Sequence, residues 1–271
     1  MQARKPVRPR AHDRHLLYER AVQSPDAELG LLIRLLRRAG HPARRLREDF
    51  SGTALLSAAW VAGGPERIAV AVDLDPEVLG WALRHRLPAL GPAAARLLLC
   101  QADVRRAPPG PFDAVLALNF SYQVFHQRAA LRTYLTAARR ALVPGGFFML
   151  DLFGGWLSQQ AVTERRRMGG GVTYAWEHQA CDPITHRVRC AIHFDLPGGR
   201  RLRRAFTYDW RLWTLPELRD LLVESGFDRI EVLWDVEPPG VEPRYLPRRH
   251  ATNQGAWLAY LVGRRPGRTA G

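Results

Sequence analysis

The chain has 271 residues, of which 46% are hydrophobic and 24% charged, and its formal net charge is +14. This composition is typical of a globular protein and excludes wholesale disorder. No run of about 18 apolar residues occurs, which argues against a membrane span. The three scattered cysteines are too few for a disulfide framework or a zinc site. The basic segment 1–14 has no apolar stretch, so we interpret it as a loose tail and expect a cytoplasmic protein.

The positive charge has two interpretations. Lys5 is the only lysine, and the arginines are spread along the whole chain in small clusters. This pattern favours compositional bias and solvated faces over a dedicated phosphate-binding surface. A nucleic-acid partner is therefore the less favoured alternative.

Predicted strands and helices alternate over roughly the first 155 residues. A helix begins at Ser24-Pro25 and ends at Gly40, where glycine favours termination. Strands are predicted to end at Asp49, Asp73, Cys100, Leu118 and Leu152, with helices between them. This order predicts βαβ units and an α/β fold with a doubly wound, mostly parallel sheet covered by helices on both faces. Four polar residues fall at the carboxyl ends of strands, the edge where such sheets bind ligands: Glu48, Asp73, Asp103 and Asn119.

The hydrophobic period changes after Gly169. Alternating segments at 172–178, 188–196 and 202–213 predict an antiparallel β-meander inserted after the fifth strand. A capping box at Thr214-Leu215-Pro216-Glu217 then opens a helix, and two last strands (229–234 and 257–262) flank a proline-rich loop (238–254). The predicted organisation is a flexible tail (1–14), a core with N-terminal cap helices (15–168), an inserted β lid (169–213) and a C-terminal completion of the core (214–265).

The chemistry of the strand ends indicates an adenosine cofactor. Gly52 allows close approach to the backbone, and Asp73 lies at the spacing where an acidic residue binds ribose hydroxyls in dinucleotide folds. Asp103 can accept from an adenine amine. Phe50 and Ala54 stand where a pyrophosphate-binding loop needs glycines, which favours S-adenosylmethionine (SAM), a cofactor without phosphates.

Five segments resemble, in order, the motifs of class I SAM-dependent methyltransferases of the small-molecule type. They are Glu48–Ala54, Val70–Asp75, Gln101–Val104, Phe112–Asn119 and Leu142–Phe147, within a match of roughly residues 44–155 plus the last helix and two strands. The resemblance implies a seven-stranded sheet with an antiparallel last strand and SAM as cofactor. No metal is expected, because the cysteines form no ligand set. The implied cofactor-binding residues are Glu48, Asp49, Ser51, Gly52, Thr53, Asp73, Leu74, Asp103, Val104, Asn119 and Phe120.

The acceptor side is less defined. The inserted meander resembles the lid sheets of small-molecule N- and O-methyltransferases, and segment 15–23 is placed to fold over the cofactor. The pocket candidates are Tyr18, Tyr122, Tyr208 and Trp210, although packing explains most aromatic residues. No motif surrounds the histidines considered as a base, so none is assigned that role: His126, His178, His186 and His193.

The sequence therefore predicts methyl transfer to an oxygen or nitrogen of a small polar or anionic metabolite. Two alternatives stay open: an RNA methyltransferase that uses the arginine-rich surface, and a non-catalytic SAM-binding partner protein. The sequence does not fix the oligomeric state, and a homodimer is compatible with it.

Overall fold

The computed structural model describes residues 9–238 and 240–267, which form two β-sheets and six α-helices. Residues 1–8 of the predicted tail lie outside the described residues. The helices are α1 (Arg14–Val22), α2 (Pro25–Arg38), α3 (Leu55–Ala62), α4 (Pro76–Trp81), α5 (Arg128–Ala141) and α6 (Leu215–Glu224). The strands are β1 (Arg45–Asp49), β2 (Ile68–Asp73), β3 (Leu97–Gln101), β4 (Phe112–Ala117), β5 (Leu142–Gly154), β6 (Val162–Gly169), β7 (Val172–His178), β8 (Arg187–Asp195), β9 (Arg201–Arg211), β10 (Asp228–Asp235), β11 (Tyr245–Arg248) and β12 (Trp257–Arg264).

The larger sheet has eight strands in the order β11-β10-β12-β5-β4-β1-β2-β3. The strands from β3 across to β5 run parallel, whereas β12 is antiparallel to both of its neighbours. The carboxyl ends of β1 to β4 therefore share one edge, which is the ligand-binding edge of doubly wound sheets. The predicted mostly parallel sheet with a reversed last strand is confirmed.

Helices cover both faces of this sheet. On one face, α5 buries Leu131, Tyr134 and Leu135 in a core that also contains Leu218 of α6. On the other face, α2 and α3 pack in a second core around Trp60. The three- and four-residue spacing of the buried positions is that of amphipathic helices that face a sheet.

The smaller sheet is the inserted lid, with strands in the order β6-β7-β8-β9 and every pairing antiparallel. It lies in the chain between β5 and α6. One part of its inner face, including Phe194, packs on Leu17 of α1. Another part packs Trp210 against Phe120 and Phe153 of the core. The lid is thus joined to the carboxyl edge of the large sheet.

Two edge strands differ from the sequence prediction. β11 lies within the proline-rich loop and makes an eighth strand, because Tyr245 packs on Tyr260 at 4.7 Å between ring centroids. A proline such as Pro247 is tolerated at a sheet edge.

β6 adds a fourth strand to the lid, which therefore begins at Val162 rather than at position 169. Its run of charged residues lacks hydrophobic alternation because an edge strand needs little burial.

The capping box that opens α6 is confirmed by two reciprocal hydrogen bonds. The Thr214 backbone N–H donates to Glu217 Oε2 (2.8 Å), and the Glu217 N–H donates to Thr214 Oγ1 (3.3 Å).

Among the described residues, no helix is long and apolar enough to cross a membrane. The same residues contain no group of His, Cys, Asp or Glu side chains suited to a metal ion, and the three cysteines are free thiols.

Candidate cofactor and methyl-transfer site

The turn after β1 has left-handed backbone at three positions, and two of them are not glycine. Phe50, Gly52 and Ala54 have φ values of 56°, 54° and 55°. Positive φ is costly for a side chain with a Cβ. The Phe50 ring anchors this turn by packing edge-on against Tyr134, at 5.6 Å, and Phe125, at 6.0 Å. The chain therefore forms the tight turn of the first motif even though two of its glycine positions carry side chains.

Asp73 joins this turn to the end of β2. Its Oδ2 accepts from the Gly52 N–H at 2.7 Å, and its Oδ1 accepts from the Asp75 N–H at 3.0 Å. Burial raises the pKa of Asp73, and the backbone N–H donors partly oppose that rise. Each carboxylate oxygen has a second lone pair, so Asp73 can still accept hydroxyl groups of a ribose at this position.

Glu48 and Asp49 point to opposite faces of β1. Glu48 Oε2 accepts from both the N–H (2.9 Å) and the hydroxyl (2.5 Å) of Ser57, at the start of α3. Asp49 is enclosed on the other face by Arg47 (2.9 Å) and the Tyr134 hydroxyl (2.9 Å), and its side chain has no exposed surface. Asp49 is one of the residues predicted to bind the cofactor, but its carboxylate is enclosed on the face of β1 opposite Glu48.

Asp103 lies at the end of β3, as predicted, but its carboxylate already has a cationic partner. The Arg105 backbone N–H donates to it at 2.9 Å, and the Arg105 guanidinium donates to both oxygens. The hydrogen bonds from Arg105 lower the pKa of Asp103. Val104 is buried beside it, whereas Leu74 after β2 is 69% exposed. The sequence prediction did not include Arg105.

The turn after β4 depends on Asp151, a residue that the sequence motifs did not reveal. Asn119 and Phe120 both have positive φ, at 57° and 58°. The buried Asp151 carboxylate of β5 accepts both of their backbone N–H groups, each at 2.9 Å. Burial raises the pKa of Asp151 to about 7. A carboxylate with two N–H donors explains how two consecutive left-handed residues are held at this position.

Helix α1 lies over the turn after β1 (residues 50–54, here called the cofactor turn), as predicted for segment 15–23. The Thr53 hydroxyl donates to the buried Glu19 carboxylate, which is also paired with Arg86. The Tyr18 ring packs on Phe206 of the lid, with 4.9 Å between the ring centroids. Helix α1 therefore links the β1 turn to the lid, and Glu19 is a site residue that the motifs did not indicate.

Aromatic rings form a cluster between the lid and the turn after β4. Phe120 packs against Phe153 at 4.8 Å and against Trp210 at 6.2 Å. Within the lid, Tyr208 packs against Trp210 at 4.5 Å. Trp176 lies 5.8 Å from Tyr208 and 5.9 Å from Trp210. We call these five residues the aromatic cluster.

Several buried polar atoms near this cluster and the cofactor turn have no hydrogen-bond partner among the described residues. An unsatisfied buried donor or acceptor costs about 1–3 kcal/mol. Ligands that supply the missing partners would remove this cost. The atoms are Ser51 Oγ in the cofactor turn, Tyr122 Oη and Gln123 Oε1 after β4, and His178 Nε2 and Trp210 Nε1 on the lid.

The four histidines lie in different surroundings. His126 contacts the Asp209 carbonyl, His186 contacts the Leu212 carbonyl, and His193 contacts Glu177 and the Arg204 N–H. Only His178 combines burial with a nitrogen, Nε2, that has no partner among the described residues. Its Nδ1 lies 3.1 Å from the Gln160 carbonyl and therefore carries the proton, which leaves a lone pair on Nε2.

The comparison with protein families agrees with this geometry. Residues 51–150, from the β1 turn to the middle of β5, match the family model described as a methyltransferase domain. Residues 51–150 therefore carry a methyltransferase domain. Its cofactor is SAM, and the unpartnered Ser51 hydroxyl beside Gly52 and Asp73 fits a polar ligand in this turn. No curated protein matches the chain.

Solved structures share the architecture of nearly the whole chain. A SAM-dependent methyltransferase from Clostridium acetobutylicum ATCC 824 has 17% identity and a TM-score of 0.71, over 93% of this chain and 97% of that one. CalS10, an amino pentose methyltransferase from Micromonospora echinaspora, has 18% identity and a TM-score of 0.67, over 97% and 99%. KedS8, a sugar N-methyltransferase from Streptoalloteichus sp ATCC 53650, has 23% identity and a TM-score of 0.64, over 98% of both chains. At sequence identities this low, the structural matches establish a common fold.

Proposed function

We propose that the protein transfers a methyl group from SAM to a nitrogen or oxygen of a small polar or anionic metabolite, with an amine as the favoured acceptor. The observation that supports this most directly is the set of unpartnered buried polar atoms around the aromatic cluster. Tyr122 Oη and Trp210 Nε1 can donate, and Gln123 Oε1 and His178 Nε2 can accept. An acceptor with hydroxyl or amino groups would satisfy both kinds of atom.

The aromatic cluster supports an amine in particular. The bound cofactor supplies an electrophilic methyl group on a positively charged sulfur. A methylated amine then carries positive charge until it loses a proton. The faces of Phe120, Trp210 and Tyr208 are suited to such charge, because aromatic rings attract cations by about 0.5–2 kcal/mol. The structural neighbours CalS10 and KedS8 are described as an amino pentose and a sugar N-methyltransferase, which agrees with an amine acceptor.

The contribution of this chain to the reaction is mainly positioning. Asp151 fixes the turn that carries Phe120, and α1 connects the turn after β1 to the lid through the Glu19 hydrogen bond and the packing of Tyr18 on Phe206. Holding two reactants in line, with water excluded, supplies much of the rate of a displacement reaction. A lid that packs on the carboxyl edge of the large sheet favours a small molecule over a folded RNA. The free thiols support the proposal of a cytoplasmic location.

Two measurements test the proposal. Calorimetric titration of the purified chain with SAM should show one site, and Asp73→Ala should weaken binding by ~1.5–3 kcal/mol because a charge-assisted contact is lost. Asp182→Ala, on an exposed lid turn, is the control. Label from methyl-labelled SAM should then enter an amine in fractionated metabolites. Label only in RNA or protein would contradict the small-molecule acceptor, and label nowhere would indicate a non-catalytic SAM-binding protein.

A further inference from the structure

A cavity of about 1320 Å³ lies beside the carboxyl end of β5, and its role is not explained by cofactor binding. It is bounded by segment 153–159, the start of α6, strand β10, segment 247–253 and Trp257 of β12. None of the predicted cofactor-binding residues is part of its described lining. Pockets for small molecules commonly measure about 300–1,000 Å³, so this cavity has room for more than one ring.

Tryptophans dominate the apolar part of the cavity. Trp156, Trp213, Trp234 and Trp257 line it, and they are four of the eight tryptophans in the chain. The rings of Trp234 and Trp257 pack at 4.9 Å, while Trp156 is 56% exposed. A Cβ at Gly154 would lie 2.3 Å from the Trp257 ring, so only glycine allows this wall to close. Exposed indole faces of this kind stack on flat rings.

The polar part of the cavity is cationic. Arg219, Arg248 and Arg249 line it, and none of them forms an ion pair with a described residue. The acidic residue in the lining, Glu231, is already paired with Arg38. Guanidinium groups bind phosphate and carboxylate in a two-point geometry. The lining therefore favours a ligand that combines a ring with a negative charge.

The cavity adjoins the methyl-transfer side of the molecule through one residue. Phe153 lines it, and the same ring packs on Phe120 and Trp210 of the aromatic cluster. A molecule whose reactive group lies at the cluster would thus extend past Phe153 into the cavity. Both lie at the carboxyl edge of the large sheet, where a single elongated ligand can span them.

We propose that this cavity binds the part of the acceptor that is not methylated, and that this part carries a flat ring and an anionic group, either phosphate or carboxylate. The inference rests on the proposed function, because it assumes that the acceptor reaches from the aromatic cluster. It extends that function by defining the acceptor as a larger, negatively charged molecule that is recognised at two places.

The test is titration calorimetry on the full chain with three probes: phenyl phosphate, benzoate and the neutral phenyl β-glucoside. The double variant Arg248→Gln/Arg249→Gln should weaken the preferred anionic probe at least fivefold and leave the glucoside unchanged. The control Arg34→Gln/Arg37→Gln removes the same charge from α2, on the opposite face of the sheet. Trp156→Ala should weaken all the probes that bind, since its exposed ring can be removed without loss of core packing.

The outcomes separate this proposal from the proposed function. The relative affinity of phenyl phosphate and benzoate identifies the anion. Failure of both to bind, or equal weakening in the α2 control, would overturn the anionic site even if SAM binding is normal. The preferred probe should also slow label transfer from SAM into metabolites, in the native chain but not in the double variant. Binding without such inhibition would show that the cavity is not part of the acceptor site.

Discussion

Phe50 shows how a motif can tolerate residues that break its pattern. In the family pattern its position is a glycine, and the backbone here still has the φ of 56° that glycine adopts easily. The ring contacts with Phe125 and Tyr134 offset the conformational cost. The missing glycine therefore marks an anchored turn and not a damaged cofactor site.

This interpretation predicts an inverted order of stability at position 50. Phe50→Ala loses the ring contacts and keeps the positive φ, whereas Phe50→Gly loses the ring but relieves a strain of about 1 kcal/mol. Urea unfolding should therefore rank Phe50→Gly above Phe50→Ala by that amount. At an exposed helical site, such as Arg132 of α5, glycine should be less stable than alanine. If Phe50→Gly is instead less stable than Phe50→Ala, the turn is not strained.

Glu48 gives a prediction about pH. Burial, together with Asp73 and Asp49, raises its pKa from 4.5 to about 7, although the Ser57 hydrogen bonds oppose the shift. The folded-state pKa is higher than the unfolded one, so the protonated carboxyl group favours the folded state. Its contribution to the free energy of unfolding is complete below about pH 4.5 and is lost as the pH rises through 7. Glu48→Gln keeps an oxygen for Ser57 and does not ionise. Its stability relative to the native chain should rise across this interval by roughly 3 kcal/mol.

Unfolding by urea at pH 5, 6, 7 and 8 measures this difference. The control is Glu77→Gln, which removes an exposed carboxylate paired with Arg14. A constant difference between Glu48→Gln and the native chain at all four values would contradict a raised pKa. Bound SAM should reduce the effect if its ammonium contacts Glu48, because an opposite charge favours the ionised carboxylate.

At the scale of elements, helix α1 connects parts of the molecule that are far apart in sequence. Glu19 pairs with Thr53 and Arg86, and Tyr18 packs on Phe206 of the lid. The helix has no continuous apolar stripe, so the Glu19 contacts act together with the packing of Leu17 and Tyr18. Its position over the turn after β1 therefore depends on the Glu19 carboxylate as well as on packing.

Replacement of Glu19 by glutamine should therefore loosen α1. The variant leaves Arg86 without its carboxylate partner, and we expect a loss of about 2 kcal/mol in unfolding free energy. Hydrogen exchange, followed by mass spectrometry, should be faster at residues 14–22. Arg20→Gln, on the exposed side of the same helix, should change neither quantity. Equal exchange in both variants would show that Glu19 does not hold the helix.

The sequence predicted those parts of the fold and site that depend on local pattern. Apolar runs and capping residues predict the parallel strands and the helix at Thr214, and strand ends reveal Asp73 and Asp103. Edge strands β6 and β11 escape prediction because charged or proline-containing edges show little periodicity. Asp151 and Glu19 escape it because their partners lie more than 30 positions away, at Asn119 and Thr53. No short motif encodes such contacts.

At the scale of the whole molecule, the net charge of +14 does not by itself indicate a nucleic-acid partner. Several arginines form hydrogen bonds to backbone carbonyls inside the protein. Arg96 Nη1 donates to the carbonyls of Val61, Gly64 and Arg67, at 2.5 to 2.8 Å. Arg139 donates to the Ser225 carbonyl at 2.7 Å. Guanidinium groups thus satisfy carbonyls at helix ends and turns inside the protein.

The charge excess therefore predicts weak and unspecific RNA binding. Fluorescence anisotropy with a labelled RNA hairpin should show binding at low salt that falls steeply as counterions compete, and little at physiological ionic strength. SAM should not alter it, because the arginines considered above lie away from the cofactor turn. A saturable complex at physiological salt that tightens with SAM would instead favour an RNA acceptor. In that case the lid would have to open, and hydrogen exchange in β6 to β9 would rise when RNA binds.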